Sequence, residues 1–371
     1  MTGIRTARRV ATAALATVLT AGVFAACSST KSGGNNNSSP PASQSGSGSG
    51  SGSGGSGGGT FKKGLKVYFI PKDTQNPYEV LADNGGKKAL QELGGQVIVS
   101  SGTSDTAAAQ LPSIQAAIQA HADAIVIAAN DPSALCPSLN TAARAGIKIL
   151  AFDSDINCGS TPNHLFINQA DTKEIGTSEV DLLAKQINST GQIAILSAAA
   201  SATNQNSWIM YMKQELKKYP NMKLVSTVYG NDDPATSLTV LQGLISAYPN
   251  LRGIISPTTV GISTAAQYLD THPDIAKKIV LTGLGLPSQM KKYVHDGTVK
   301  SFELWNPYNL GYLAGYAAAA LASGTPMQAG ATFTSGMLKK TYTMAQGSGE
   351  LSVVLGPPTV FDKSNIDQFN F

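Results

Sequence analysis

"KILAFDSDINCGS", residues 148–160, sets an apolar run, Ile149 to Phe152, directly before two carboxylates, Asp153 and Asp155, with Cys158 close behind. An apolar run this short, without polar alternation, is the pattern of a strand covered on both faces, as in a parallel sheet. Two acids at the exit of a buried strand leave three chemistries open. They can be a catalytic pair, a metal site, or a hydrogen-bonding clamp for an uncharged ligand.

The same pattern repeats on either side. "LKVYFI" (65–70), "QVIVS" (96–100) and "ADAIVIAA" (122–129) predict strands before "IKILAF" (147–152), with helical spacing over 77–93, 107–121 and 131–146 between them. It then restarts. "QIAILSA" (192–198), "KLVSTVYG" (223–230), "LRGIISP" (251–257) and "KIVLTGLG" (278–285) alternate with helical stretches over 204–219, 234–248 and 261–271. Strand–helix alternation of this kind predicts an α/β fold of two doubly wound, parallel-sheet, Rossmann-like domains. Ligands of such sheets sit outside the C-terminal ends of the strands, so Asp153 is expected to face a cleft between the halves. A further helix, "YLAGYAAAALASG" (312–324), is apolar at helical spacing, and its glycine and alanines suit packing between elements better than a membrane span.

Not all of the 371 residues belong to that fold. Residues 1–26 carry Arg5, Arg8 and Arg9 before an apolar run from Val10 to Phe24, the layout of a signal peptide. "FAAC" follows and resembles the lipobox of bacterial lipoproteins, which implies lipidation of Cys27. Residues 27–60, with "NNNSSPPASQSGSGSGSGSGGSGGG", hold almost no apolar residue to offset chain entropy and read as a disordered tether. A coil of that length spans on the order of 30 Å. Together these features predict an extracytoplasmic protein anchored to the cell membrane by lipid. About 310 residues remain for the fold, enough for two domains. Removing the three leader arginines takes the formal charge from +4 to +1, so no basic stripe argues for nucleic acid. With Cys27 assigned to lipid, Cys136 and Cys158 form an even pair. In an oxidising compartment they are expected to bridge, two free thiols being the alternative.

The chemistry narrows by elimination. "ILAFDSD" loosely matches the strand–DxD motif of haloacid-dehalogenase-type phosphatases, with Asp153 as nucleophile. That motif opens its fold, whereas here three βα units precede it, and Asp232 and Asp233 sit in a turn where a magnesium-holding pair would be needed. His121, His164, His272 and His295 show no metal-ligand spacing and read as dispersed surface residues. Beyond the glycine-serine tether there is no G-x-S-x-G, there is no P-loop, no G-x-G-x-x-G follows a first strand, and no cofactor is implied. What remains is recognition of a neutral polar molecule. Hydroxyl groups call for planar acceptors and donors, and an apolar sugar face calls for an aromatic surface. The strand ends supply Lys72, Asn76, Asp153, Asn204, Gln205, Thr258 and Thr259, and Trp305 and Asn306 end the run "KSFELWNP". Some of these have a second reading. Asn204 either faces the cleft or caps the helix that begins there, and Trp305 offers either a stacking face or hinge packing. Trp208 reads as core, and Asp155 as a shaper of its turn.

The motifs "FIPK", "SALCPSL", "DSD", "TNQNSW", "ISAYPNL", "IISPTTVG" and "GTVKSFELWNP", in this order, resemble the type I periplasmic sugar-binding proteins of ABC importers. Within that family the rhamnose-binding and autoinducer-2 receptor branch is the nearest match. The resemblance runs from about residue 65 to the C-terminal "NIDQFNF". It implies a receptor that binds a small-molecule sugar without making or breaking bonds, and that works with ABC permease subunits in the membrane. It carries ligand contacts onto Lys72, Asp153, Asn204, Gln205, Pro257 and Thr259. Asn204 stands where the autoinducer-2 receptors have an aspartate, and Thr259 where they have an alanine. "SPTTVG" and "FELWNP" look more like the rhamnose-binding branch, so a rhamnose-like deoxyhexose is the expected ligand and the furanosyl signal the alternative. An exported phosphatase is the remaining alternative. The resemblance also implies three crossings between domains, expected near 168, 304 and 329. Residues 61–168 with 305–329 would then form the N-terminal domain, and 169–304 with 330–371 the C-terminal one.

Overall fold

The computed structural model describes residues 61–159, 162–347 and 350–371. The leader, Cys27 and the tether lie outside the described residues.

The first series is β1 (Lys66–Ile70), α1 (Pro77–Glu92), β2 (Gln96–Val99), α2 (Ala107–Gln119), β3 (Ala124–Ile127), α3 (Pro132–Arg144), β4 (Lys148–Phe152) and β5 (Leu165–Asn168). Every residue of β3 and β5 is buried, and so is all of β4 beyond Lys148. That matches the uninterrupted apolar runs in the sequence, because a strand covered on both faces has no solvent side. The second series is α4 (Thr172–Gln186), β6 (Gly191–Ser197), α5 (Thr203–Glu215), β7 (Met222–Tyr229), α6 (Pro234–Ala247), β8 (Leu251–Ser256), α7 (Thr259–Thr271), α8 (Pro273–Ala276), β9 (Val280–Gly283), α9 (Pro287–His295) and β10 (Ser301–Leu304). The chain ends with α10 (Pro307–Ala322), β11 (Thr332–Ser335), β12 (Lys340–Thr343), β13 (Ala345–Gln346), β14 (Leu351–Val354) and β15 (Thr359–Asp362).

Two sheets organise these elements. The first has the order β13-β14-β5-β4-β3-β1-β2, parallel except at the β13–β14 edge, and the second is the parallel β7-β6-β8-β9. β10 pairs antiparallel with β15 and continues the second sheet through a bridge from Glu303 to Leu284 beside β9. The predicted α/β class with two doubly wound sheets is the fold observed. One expected boundary is corrected. A third crossing is expected near 329, but β14 pairs parallel with β5, so the first sheet keeps the chain to residue 354 and only 355–371 returns to the second. The reason is β5, whose free edge takes β14, with Leu351 and Val353 buried against the core. The polar segment that precedes β14 hides it in the sequence.

Four helices begin with the same device. Asn76-Pro77, Asp131-Pro132, Asp233-Pro234 and Asn306-Pro307 place an Asx side chain at the N-cap and proline in the first turn. The cap oxygen accepts a backbone N–H that the helix cannot satisfy, and proline has none to lose. Cys136 on α3 and Cys158 beyond β4 are joined, with a Cα–Cα distance of 5.6 Å and a sequence separation of 22. Closing a loop of that length contributes about 3 kcal/mol in the chain-entropy model.

α10 is the spine of the first lobe. Leu310 to Leu321 are buried without interruption, since the helix lies against α1 on one side and β3 and β4 on another. Its small residues set that distance. A Cβ at Gly311 would lie 1.7 Å from the Ala82 carbonyl oxygen, and one at Gly85 would lie 1.9 Å from that of Tyr308. Among the described residues no helix is long and apolar enough to cross a membrane. Gly311→Ala is therefore expected to force α1 and α10 apart and to destabilise the protein by about 1–3 kcal/mol, read from denaturant melts. Gly324→Ala, in open space just beyond the helix but at positive φ, serves as the strain-only comparison.

Candidate functional site

The cleft is built at strand ends. Lys72 follows β1 and is 4% exposed. Its backbone is held in place by the fully buried Gln110 of α2, whose amide donates to the carbonyls of Pro71 (2.9 Å) and Ala128 (2.6 Å). Asn130, which donates to the Lys72 carbonyl at 3.0 Å, completes the clamp. Asp153 follows β4 in the left-handed region at φ 58°, which aspartate tolerates better than most residues. That turn carries its side chain across the mouth of the sheet.

Asp153 is the hub. Its Oδ2 takes the Lys72 ammonium at 3.0 Å and a hydrogen bond from Asn204 Nδ2 at 3.0 Å. Its Oδ1 accepts from the Tyr78 hydroxyl at 2.9 Å, and that hydroxyl accepts from Trp305 Nε1 at 2.6 Å. Lys72 and Tyr78 belong to the first lobe, Asn204 to α5 of the second, and Trp305 to the second crossing. One carboxylate thus joins all three. Ser154 Oγ beside Thr203 Oγ1 at 3.0 Å, and Thr203 Oγ1 donating to the Asp155 carbonyl at 3.0 Å, add to the contact between lobes. Burial alone would push the Lys72 ammonium down. The Asp153 carboxylate leads the charges that more than offset it, so its pKa is held above the usual lysine value.

On the second-lobe side, Gln205 Oε1 accepts from Ser197 Oγ (2.5 Å) and from the Ala198 N–H (2.7 Å), which fixes the amide at the exit of β6. Pro257, Thr258 and Thr259 line the cleft at the exit of β8, and Thr258 Oγ1 donates to Asp232. Trp208 and Trp305 meet edge to face, with ring centroids 5.9 Å apart, and Tyr78 meets Trp305 at 6.3 Å. The cleft together with the open space at its mouth amounts to about 340 Å³ free of protein atoms.

Lys72, Asn76, Asp153, Asn204, Gln205, Pro257, Thr259 and Trp305 all line this one cavity. Asn204 is not the cap of α5, because that position is Ala202. Asn306 is corrected. It does not line the cavity but caps α10, its Oδ1 accepting from the Asn309 N–H at 3.3 Å, whereas Asn76 both caps α1 and lines the cavity. Trp208, read as core, is both buried and a wall of the cavity. His164, read as surface, is buried against Asp155 with Nε2 at 2.8 Å from Oδ1, so Asp155 shapes the turn and takes no part in the cavity.

The sequence reading missed Tyr78, Glu79 and Asp232. All three stand at strand exits, Tyr78 and Glu79 in the first turn of α1 and Asp232 in the turn after β7. The strand-end rule could have found them had it been extended one turn into each helix. The arrangement offers donors, acceptors and flat aromatic walls and no aligned nucleophile and base. Asp153 is held by a lysine, a tyrosine and an amide, which suits gripping hydroxyl groups and not attack on a phosphoryl group.

A family model described as the periplasmic binding protein domain matches residues 67–326. An ABC transporter solute-binding protein from Clostridium phytofermentas with bound L-rhamnose is 35% identical, with 84% of this chain and 99% of that chain covered at a TM-score of 0.79. LsrB from Clostridium saccharobutylicum in complex with AI-2 is 25% identical, with 83% and 100% covered at a TM-score of 0.78. The D-apiose import binding protein of Actinobacillus succinogenes is 24% identical over 51% of this chain, and the match spans 60% of that relative's length.

Removing the lysine leaves a buried carboxylate without its cation. Lys72→Met is expected to cost about 3–5 kcal/mol in denaturant melts. Lys72→Met with Asp153→Asn should recover part of that loss, whereas equal losses for the single and double variants would show that the pair carries no coupling.

Proposed function

The chain belongs to the periplasmic binding protein domain family, and from that premise we propose that it is the solute receptor of a sugar ABC importer, closing on a rhamnose-like deoxyhexose held between its lobes. The observation that carries this reading is the Asp153 hub. A carboxylate with acceptor capacity, an ammonium with three donors, and the amides of Asn204 and Gln205 converge on one cavity from both lobes. Tyr78, Trp208 and Trp305 supply the flat, apolar side that a deoxy sugar presents. Closing two lobes over such a ligand removes water from every polar contact at once, which strengthens each of them.

Binding is the whole chemistry. The sugar enters, the lobes close, and the closed form is presented to permease subunits in the membrane. An anchor through lipid on Cys27, with residues 28–60 as spacer, fits that task, and its support is the sequence pattern. A second reading rests on the likeness to LsrB and on Lys72, Asp153, Asn204 and Gln205 standing together in the cleft. It makes the ligand a furanosyl signal. The amide at Asn204, with no charge of its own, and the Thr259 methyl group weigh toward the less polar deoxyhexose.

L-rhamnose at about a hundredfold excess over its Kd should stabilise the protein by about 2.7 kcal/mol, seen as a raised melting temperature. Asp153→Ala should abolish that shift. A shift with AI-2 and none with L-rhamnose would select the second reading, and an undiminished shift in Asp153→Ala would overturn the site.

A further inference from the structure

The hub accounts for Lys72, Tyr78, Asn204 and Trp305, but it leaves one charged side chain of the cavity without a task. Glu79 stands in the first turn of α1, lines the cavity, and is 2% exposed. Its Oε2 is sealed from solvent and has no partner within the protein. A glutamate three residues after an N-cap commonly reaches back to the cap's own N–H. Glu79 does not. The cap here is Asn76, whose side chain accepts from the Tyr78 N–H at 3.0 Å, and no hydrogen bond or ion pair to Glu79 is present among the described residues. The nearby ammonium of Lys72 is taken by Asp153 at 3.0 Å. A buried polar atom left unpaired by its own fold costs stability, and such a group is retained where a ligand completes it.

We infer that Glu79 is a specificity-determining residue of the cleft, donating a hydrogen bond from its carboxylic acid to a hydroxyl oxygen of the bound sugar. This rests on the sugar-receptor reading and deepens it. Burial, and after it the charge of Asp153, pushes the Glu79 carboxyl well above the usual range, with Lys72 pulling the other way. The cavity therefore favours the acid form of Glu79. The groups that face it are Lys72 after β1, Tyr78 and Asp83 on α1, Asp105 ahead of α2, Asp153 after β4 and Asp232 after β7. Burial and the charges of Asp153, Asp83 and Asp105 explain why Glu79 holds its proton. The division of labour follows from donor and acceptor roles. Asp153 accepts from ligand hydroxyls, while Glu79 as an acid gives a proton-bearing oxygen to one of them. A sugar lacking that hydroxyl leaves the donor unpaired and is discriminated against by about tenfold.

The test is calorimetric titration of the intact protein with L-rhamnose and its monodeoxy analogues from pH 5.5 to 9, comparing wild type, Glu79→Gln and Glu79→Ala, with thermal melts of each to show that it is folded. Glutamine keeps a donor and cannot ionise. Glu79→Gln should bind L-rhamnose within about threefold of wild type at the acid end, and Glu79→Ala about tenfold more weakly. Wild-type affinity should fall as pH rises through the raised Glu79 pKa, since the ionised form cannot donate. The fall should be absent in Glu79→Gln, which retains Asp83, Asp105, Asp153 and Asp232. One monodeoxy analogue should bind wild type about tenfold worse than L-rhamnose and bind Glu79→Ala no worse. Wild-type binding with an equal pH slope in Glu79→Gln, or unchanged affinity in folded Glu79→Ala, overturns the role of Glu79 and leaves the receptor reading standing. No binding of any sugar by wild type overturns both.

Discussion

A single buried carboxylate sets the geometry of this molecule. Asp153 leaves β4 in a left-handed turn and has both oxygens occupied, one by Lys72 and Asn204 and the other by Tyr78. Taking an ion pair out of water carries a desolvation cost of several kcal/mol per ion, so it persists only where hydrogen bonds complete it. Each of those partners comes from a different place in the chain. Satisfying Asp153 therefore brings together the exits of β1 and β4, the first turn of α1, and the start of α5 in the other lobe. Trp305 joins through the Tyr78 hydroxyl. The wall against which a sugar would lie is thus placed by the same network that would hold its hydroxyls.

The first lobe can hold that network still because α1 cannot move far. α10 runs directly after Trp305 and packs on α1 at backbone distance through Gly85 and Gly311. The helix that carries Asn76, Tyr78 and Glu79 is thereby fixed by the helix that follows the second crossing. Asx-Pro starts at α1 and α10 give both helices defined beginnings. Close helix packing, helix starts and cleft side chains are one construction, which is why the alanine-rich segment 312–324 belongs to function as much as to stability.

Much of this was legible beforehand, for physical reasons. Continuous apolar runs such as Ile149–Phe152 and Ala124–Ile127, each only a few residues long and flanked by helical segments, favour a strand buried on both faces, so the two parallel sheets could be read directly. Strand ends then pointed to Lys72, Asp153, Asn204 and Gln205. What could not be read was non-local or ambiguous. β14 is four residues long and gains its place only from the open edge of β5, so the third crossing was set too early. Asn306 has the chemistry of a ligand contact and of a helix cap, and because Asn76 before its own proline serves as both, the Asn-Pro pair does not separate the two roles. Tyr78 and Glu79 lie inside a helix, where periodicity speaks about packing and is silent on which first-turn side chains look into a cleft. His164 found Asp155 across a turn, a pairing that spacing alone does not encode.

Trp208 and Trp305 are the only two tryptophans in the chain, and both line the cavity with ring centroids 5.9 Å apart. Intrinsic tryptophan fluorescence therefore reports on this cleft and nothing else. Titration with L-rhamnose should give a saturable change in intensity or emission wavelength that is lost in folded Asp153→Ala. An emission spectrum that stays constant across L-rhamnose, other deoxyhexoses and pentoses, and AI-2, in a protein shown to be folded, would contradict the account.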